Sequence, residues 1–214
     1  AIDDKYNAAT GDDKAKVGAE ALQHELESLP PELAKKLFDD RHTQELLDNV
    51  GRGMLDNLAG EKNDQAKATI AALCGISDRL GPDSQKKLAG TIARYIPDTT
   101  QLGAFKDAFQ DQANQGHGLG LALAVTGELN AQGKVKSAFT LADVSLNKLK
   151  EVREQYEKAK GDRENLDKEL AAQLAELKSL TPEQQQAYIK EFHAKHQGEY
   201  DAELKAAQTL SDAV

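Results

Sequence analysis

Two imidazoles one turn apart form the most chemically suggestive pattern in this chain. His193-Ala194-Lys195-His196 lies close to Glu191, Glu199 and Glu203. Residues three apart on a helix share a face, so both rings can reach toward one point. Zinc accepts His nitrogen and carboxylate oxygen, but it needs three or four ligands arriving from more than one element. The metalloprotease pattern also sets a Glu between its two His, and Ala194 and Lys195 stand there instead. His196 falls on the apolar face of its own helix besides. His193 and His196 are therefore the metal candidates that the sequence offers, short of a complete site. Neither a resident metal nor a cofactor is expected.

Other reactive groups are more isolated. Cys74 sits in the apolar run Ile70-Ala71-Ala72-Leu73-Cys74. A nucleophilic thiolate wants positive neighbours, and none adjoins it in sequence, so a buried thiol is expected. Gly116-His117-Gly118-Leu119-Gly120 opens a helix but lacks the preceding strand of a dinucleotide fingerprint and the Gly-Lys-Ser/Thr of a P-loop. It reads as a turn with close packing, with an anion at the next helix N-terminus as the lesser alternative. Asp39-Asp40-Arg41-His42 reads as a polar turn between helices. No catalytic residue emerges, and the chain is not expected to be an enzyme.

Something must hold these groups in place, and composition says it is helices. The chain has 214 residues, 39% apolar and only 5% aromatic. Leu and Ala must then supply most of the core, and both favour helix over strand. The net charge of −9 repels nucleic acid and anionic membranes unless cations are segregated. The lysines are interleaved with acids, so no nucleic-acid partner is expected, and a membrane ranks below a protein partner.

Three phrases of the form Leu-x-Pro-acid mark helix starts: Leu29-Pro30-Pro31-Glu32, Leu80-Gly81-Pro82-Asp83 and Leu180-Thr181-Pro182-Glu183. Proline suits the first helical position, and the acid faces the positive end of the helix dipole. Residues 1–13 are polar and predict a frayed lead-in. A helix from Lys14 carries Val17, Leu22 and Leu26 on one face. Others are predicted at Pro31–Asp40, Thr43–Leu58 with a possible break at Gly51 and Gly53, Gln65–Leu80, Asp83–Tyr95, Thr100–Gln112 capped by Asp98 or Thr99, and Leu119–Leu129. A last helix is predicted from Pro182 to Leu210. The series Leu29, Leu80, Leu129, Leu180 suggests a quasi-period near 50 residues.

From residue 134 the texture is Lys/Glu/Leu-rich. Leu149, Tyr156, Arg163, Leu170 and Leu177 lie a heptad apart, and so do Val152, Ala159, Leu166, Gln173 and Leu180. This is a coiled-coil seam. Gly161-Asp162 permits a hairpin, while the unshifted heptad phase favours one continuous helix. The expected organisation is a lead-in (1–13), a helical bundle (14–133) and a long-helix, coiled-coil-like region (134–214). The fold class is all-α, a multi-helix bundle or short solenoid followed by a hairpin or arm.

The Leu-x-Pro-acid helix starts, set among runs such as Leu170-Ala171-Ala172-Gln173-Leu174-Ala175-Glu176-Leu177, give the chain a texture. It resembles the helical, non-catalytic trunk or delivery regions of large bacterial secreted effector and polymorphic-toxin proteins. The resemblance implies a bacterial protein, secreted or held in the cytoplasm before delivery, and carries over no catalytic residue. Without an initiating Met, the chain reads as a mature, processed or excised form. The function expected is a structural or protein-interaction module. A protein partner or a second copy would meet the long helices through Leu149, Val152, Tyr156, Leu166, Leu170 and Leu177, unless that seam packs within its own bundle. The rival is a helical toxin acting directly on membranes, for which Leu119–Leu129 is the apolar helix. A metal-dependent or enzymatic role ranks third.

Overall fold

The computed structural model describes the backbone of residues 2–213 and the side chains of residues 2–211. Among the described residues there are eleven α-helices and no strand, as the composition predicts. The chain divides between Leu146 and Asn147 into two compact units.

The first unit holds α1 (Ile2–Ala8), α2 (Lys14–Ser28), α3 (Pro31–Asp39), α4 (Arg41–Ala59), α5 (Asn63–Arg79), α6 (Pro82–Tyr95), α7 (Gly103–Asn114), α8 (Leu119–Ala131) and the start of α9 (Val135–Glu176). Their apolar faces meet in one core built around Leu22, Leu26, Phe38, Leu47, Met54, Ile70, Leu73, Ile92, Phe105 and Phe109. Helix α4 runs unbroken through Gly51 and Gly53, where Tyr95 and Ala15 come close to the backbone. Small residues there let neighbouring elements approach.

The predicted lead-in is instead the helix α1 and a 3-10 turn at Gly11–Asp13. The Tyr6 ring lies against Gly18 of α2, Lys14 sits 4.6 Å over that ring, and His42 Nε2 is 3.0 Å from Asp3. Two apolar residues four apart, Ile2 and Tyr6, suffice to dock one short helix.

The Leu-x-Pro-acid phrases are two-sided. Each Leu closes the turn before it by donating its N–H to the carbonyl three residues back: Leu29 to Leu26 at 3.4 Å, Leu80 to Ser77 at 3.1 Å and Leu180 to Leu177 at 3.2 Å. Pro31, Pro82 and Pro182 then open α3, α6 and α10 (Pro182–Lys195). At Leu129 the quasi-period fails. Helix α8 runs past it to Ala131 and ends on Gly133 at φ +75°, with the Lys134 N–H bonded to Leu129 O at 2.8 Å. This is a glycine-terminated helix end, and the three phrases are punctuation.

The boundary between units also differs from the predicted 133/134. Ala138, Leu141 and Val144, in the first turns of α9, are buried in the core of the first unit. A change in surface texture marks a new element, which is not the same as a new core.

The second unit holds the rest of α9, then α10 and α11 (Gln197–Ala213). Helix α9 is continuous through Gly161 for 42 residues. Thr181 caps α10 in a reciprocal box: the Gln184 N–H donates to Thr181 Oγ1 at 3.3 Å, and Gln184 Oε1 accepts from the Thr181 N–H at 2.9 Å. The single helix predicted from Pro182 to Leu210 is two helices, interrupted at His196 (φ −106°, ψ 21°). The interruption falls beside Gly198, and glycine is the weakest helix former after proline.

Candidate interaction surface

The predicted seam is used inside the second unit. All ten of its heptad positions from Leu149 to Leu180 are buried or half-buried. Val152 and Leu170 are the buried ones, and Leu149, Tyr156, Leu166 and Leu177 are half-buried. Tyr188 of α10 donates its hydroxyl to Gln173 Oε1. Tyr200 of α11 donates to Asp167 at 2.9 Å, and Arg163 Nε donates to Glu203 at 2.7 Å. These bonds lay α10 and α11 alongside the seam of α9. Of the six residues expected to meet a partner, none is fully exposed.

The Arg163 guanidinium also donates to Asp167 at 2.6 Å. Bonds from Tyr200 and Arg163 hold the Asp167 carboxyl below its ordinary range. Partial burial, with the Asp167 charge, pushes the Tyr200 phenol up.

The two candidate metal ligands face different neighbours. His193 stacks on Tyr200, with ring centroids 4.7 Å apart and planes 10° apart. His196 lies 4.6 Å from the Phe192 ring, and its Nδ1 is 3.6 Å from Glu199. Among the described residues, no three His, Cys, Asp or Glu side chains are grouped to hold a metal ion.

Cys74 is 0% exposed. Burial first, then the Asp78 charge, pushes its thiol up to about 12, the opposite of nucleophile activation. Gly118 closes over it at φ +71°, and a Cβ at that position would stand 2.4 Å from Sγ. The anion at this helix start is the chain's own: the Gly118 N–H donates to Asp78 at 3.2 Å, and His117 Nδ1 is 3.1 Å from the same carboxylate. Asp40 accepts the His42 N–H at 2.9 Å and so caps α4, and Asp39 takes Lys35 and Lys87. That run is a turn, as its sequence predicts.

A different face is left open, at the start of α9. The Asp98 carboxylate fixes this helix end, accepting the N–H of Lys136 at 2.8 Å and of Ser137 at 3.3 Å. The sequence reading gave Asp98 to α7, whose first residue has no side-chain cap. Thr99 donates its N–H to Ser137 Oγ at 2.9 Å. Lys134 donates to the last carbonyls of α6, Ala93 O at 2.6 Å and Arg94 O at 3.0 Å. Lys106 of α7 reaches Asp143 at 2.8 Å. With Ser137, Ala138, Leu141, Val144 and Ser145 buried, one face of α9 is locked.

Around the helix from that face run Val135, Phe139, Ala142 and Leu146. At ~100° per residue they fall within about 60° of one another and extend for about 17 Å. Their separations are four, three and four residues, which is the spacing of a coiled-coil seam. Phe139 is 80% exposed, Leu146 61% and Val135 58%, while Ala142 is half-buried. A solvated helix face is usually polar, so three large apolar side chains in register form a patch that asks for a partner. Sequence reasoning traced the seam only from Leu149 toward the C-terminus. The same heptad steps taken backwards from Leu149 reach Ala142 and Val135, and from Leu146 reach Phe139.

No protein-family model, curated protein or solved structure matches this chain.

Proposed function

We propose that the chain is a non-enzymatic helical interaction module that binds a helix of another protein along the stripe Val135-Phe139-Ala142-Leu146. The observation that carries this reading is an uncovered apolar seam on a helix whose other side is locked into a core. A rigid element with exposed knobs at coiled-coil spacing needs no reordering to receive a partner helix. Covering Phe139, Leu146 and Val135 stabilises a complex by about 5 kcal/mol before the cost of association is met. The seam therefore sets geometry, and groups beside it decide the partner. The surroundings of Cys74, His117, His193 and His196 support a structural role for each. The reading also fits the trunk or delivery role that the resemblance to bacterial effector proteins implies.

Selection of displayed amphipathic helices with randomised flanks on the full chain tests it. Enriched helices should lose binding to Phe139→Ser and Leu146→Ser variants that keep the wild-type circular dichroism. If no helix is enriched, or the enriched ones bind both variants unchanged, the reading is wrong.

A further inference from the structure

We infer that the protein covering the stripe is a second copy of this chain, with the two stripes antiparallel and Lys136 of each copy beside Asp143 of the other. This rests on reading the stripe as a helix-binding surface and names what binds there. Every residue involved lies in the first unit, between Val135 and Leu146. The four-three-four spacing of the stripe is the same read from either end. Two copies can therefore share a two-fold axis at the level between Thr140 and Leu141. About that axis Val135 lies opposite Leu146 of the second copy, and Phe139 opposite its Ala142. Each layer joins a larger side chain to a smaller one, which is how facing helices interlock.

The charges obey the same register. Lys136 and Asp143 are the two charged residues between Val135 and Leu146, and they stand seven apart on the open edge of the stripe. In the antiparallel arrangement Lys136 comes within two residues, about 3 Å along the axis, of the level of Asp143 in the second copy. Symmetry makes this pair twice. Lys136 is exposed. Asp143 is 48% exposed and is held by Lys106 at 2.8 Å through one carboxylate oxygen, which leaves the other to accept. The opposite edge of the stripe is Ala138 and Ser145, small and buried against the chain's own core. The locked face is centred about 130° round from the stripe, so each bundle stands behind its own helix. Parallel pairing fits less well: it sets Phe139 on Phe139, Ala142 on Ala142, and Asp143 toward Ala138. A lipid surface would take the apolar residues but makes no use of opposite charges at a fixed spacing.

The test is sedimentation equilibrium on the full chain. It should give monomer–dimer exchange with a Kd on the order of 100 µM, the weak association expected of so small a patch. Phe139→Ser, in a variant that keeps the wild-type circular dichroism, should weaken it about tenfold or more. Lys136→Glu and Asp143→Lys should each weaken it about tenfold, since each turns two attractions into two repulsions. Mixed in equal amounts, these two variants should dimerise as the wild type does, because in the mixed dimer both pairs again have opposite sign. A misfolded variant could not be rescued in this way. A monomer at every concentration, or dimers that Phe139→Ser leaves unchanged, refutes the second copy. If that monomer still captures displayed helices through Phe139, the binding surface stands and its partner is a different protein. If it captures none, the surface falls as well. No recovery on mixing refutes the antiparallel pairing. Phe139-dependent binding of a strict monomer to phosphatidylcholine vesicles refutes the second copy in favour of a membrane.

Discussion

Gly118→Ala should be the most damaging single-methyl change in the first unit, and its cost can be built from two separable parts. The residue sits at φ +71°, ψ 3° at the start of α8. An L-residue pays about 1–2 kcal/mol for that conformation. The new methyl would also stand 2.4 Å from Cys74 Sγ and 2.9 Å from Cys74 Cβ, and Cys74 is fully buried. Overpacking of this kind costs about 1–3 kcal/mol. The sum is about 2–5 kcal/mol, equivalent to a melting shift on the order of 10 °C. Gly116→Ala is the control, because φ is +84° there and nothing lies within 4 Å of the added carbon. It should cost only the backbone share, about 1–2 kcal/mol. Urea titration followed by pulsed thiol labelling reads the first unit alone, since its reporter is Cys74. A Gly118→Ala/Cys74→Ala double variant removes Sγ and should lose less than the two single changes added together. Equal costs at Gly116 and Gly118, or strict additivity in the double variant, would refute the packing of Gly118 on Cys74.

Further outcomes follow from other sites. Cys74 should resist a water-soluble disulfide reagent at pH 8 in the native protein, because the thiol is buried and pushed up to about 12, and should react at once in denaturant. Gly161→Ala should stabilise the second unit by about 0.5–1 kcal/mol, since the position is mid-helix with open space around it; a melting point that falls would mean the helix breaks there. Asp98→Ala should cost about 1 kcal/mol through loss of the α9 cap, with Asn restoring most of it. The Asp167 carboxyl is held below its ordinary value by Tyr200 and Arg163. Its contribution should be complete above the unfolded value of ~3.9 and be lost as pH falls through the lower, folded value. An Asp167→Asn variant should flatten that acid limb in a helicity titration, and an unchanged limb would assign acid sensitivity elsewhere.

Helix existence was legible because its signals are local. Pro31, Pro82 and Pro182 fix starts, and heptad steps from Leu149 to Leu180 fix a buried face. What escaped the sequence depends on distant partners. Asp98 looks like a cap for the helix that follows it, but its acceptor oxygen serves N–H groups nearly forty residues on. Helix α1 carries two apolar residues, too few for a periodic signal. The spacing of the seam favours its own bundle over a partner without naming the helices, and the positions of Tyr188, Tyr200 and Glu203 show what lies beside it. The open stripe was present in the residue spacing, but exposure is a property of the packed chain. Val135 and Phe139 are as apolar as Leu141 and Val144, and nothing in one sequence says which of two faces a core will take.

The meeting of Asp98 and Lys134 with opposite helix ends has a topological result. Asp98 holds the start of α9, while Lys134 holds the finish of α6. The stretch holding α7 and α8 is therefore closed at one pinned spot, while both helices pack in the shared core. A protease cut at the exposed glycine turn near Gly116 would release neither fragment, since each remains tethered at the pin and through the shared core. The nicked protein should run as one particle until denatured. That tip is then the place to splice in a reporter or a second module without disturbing the locked side of α9.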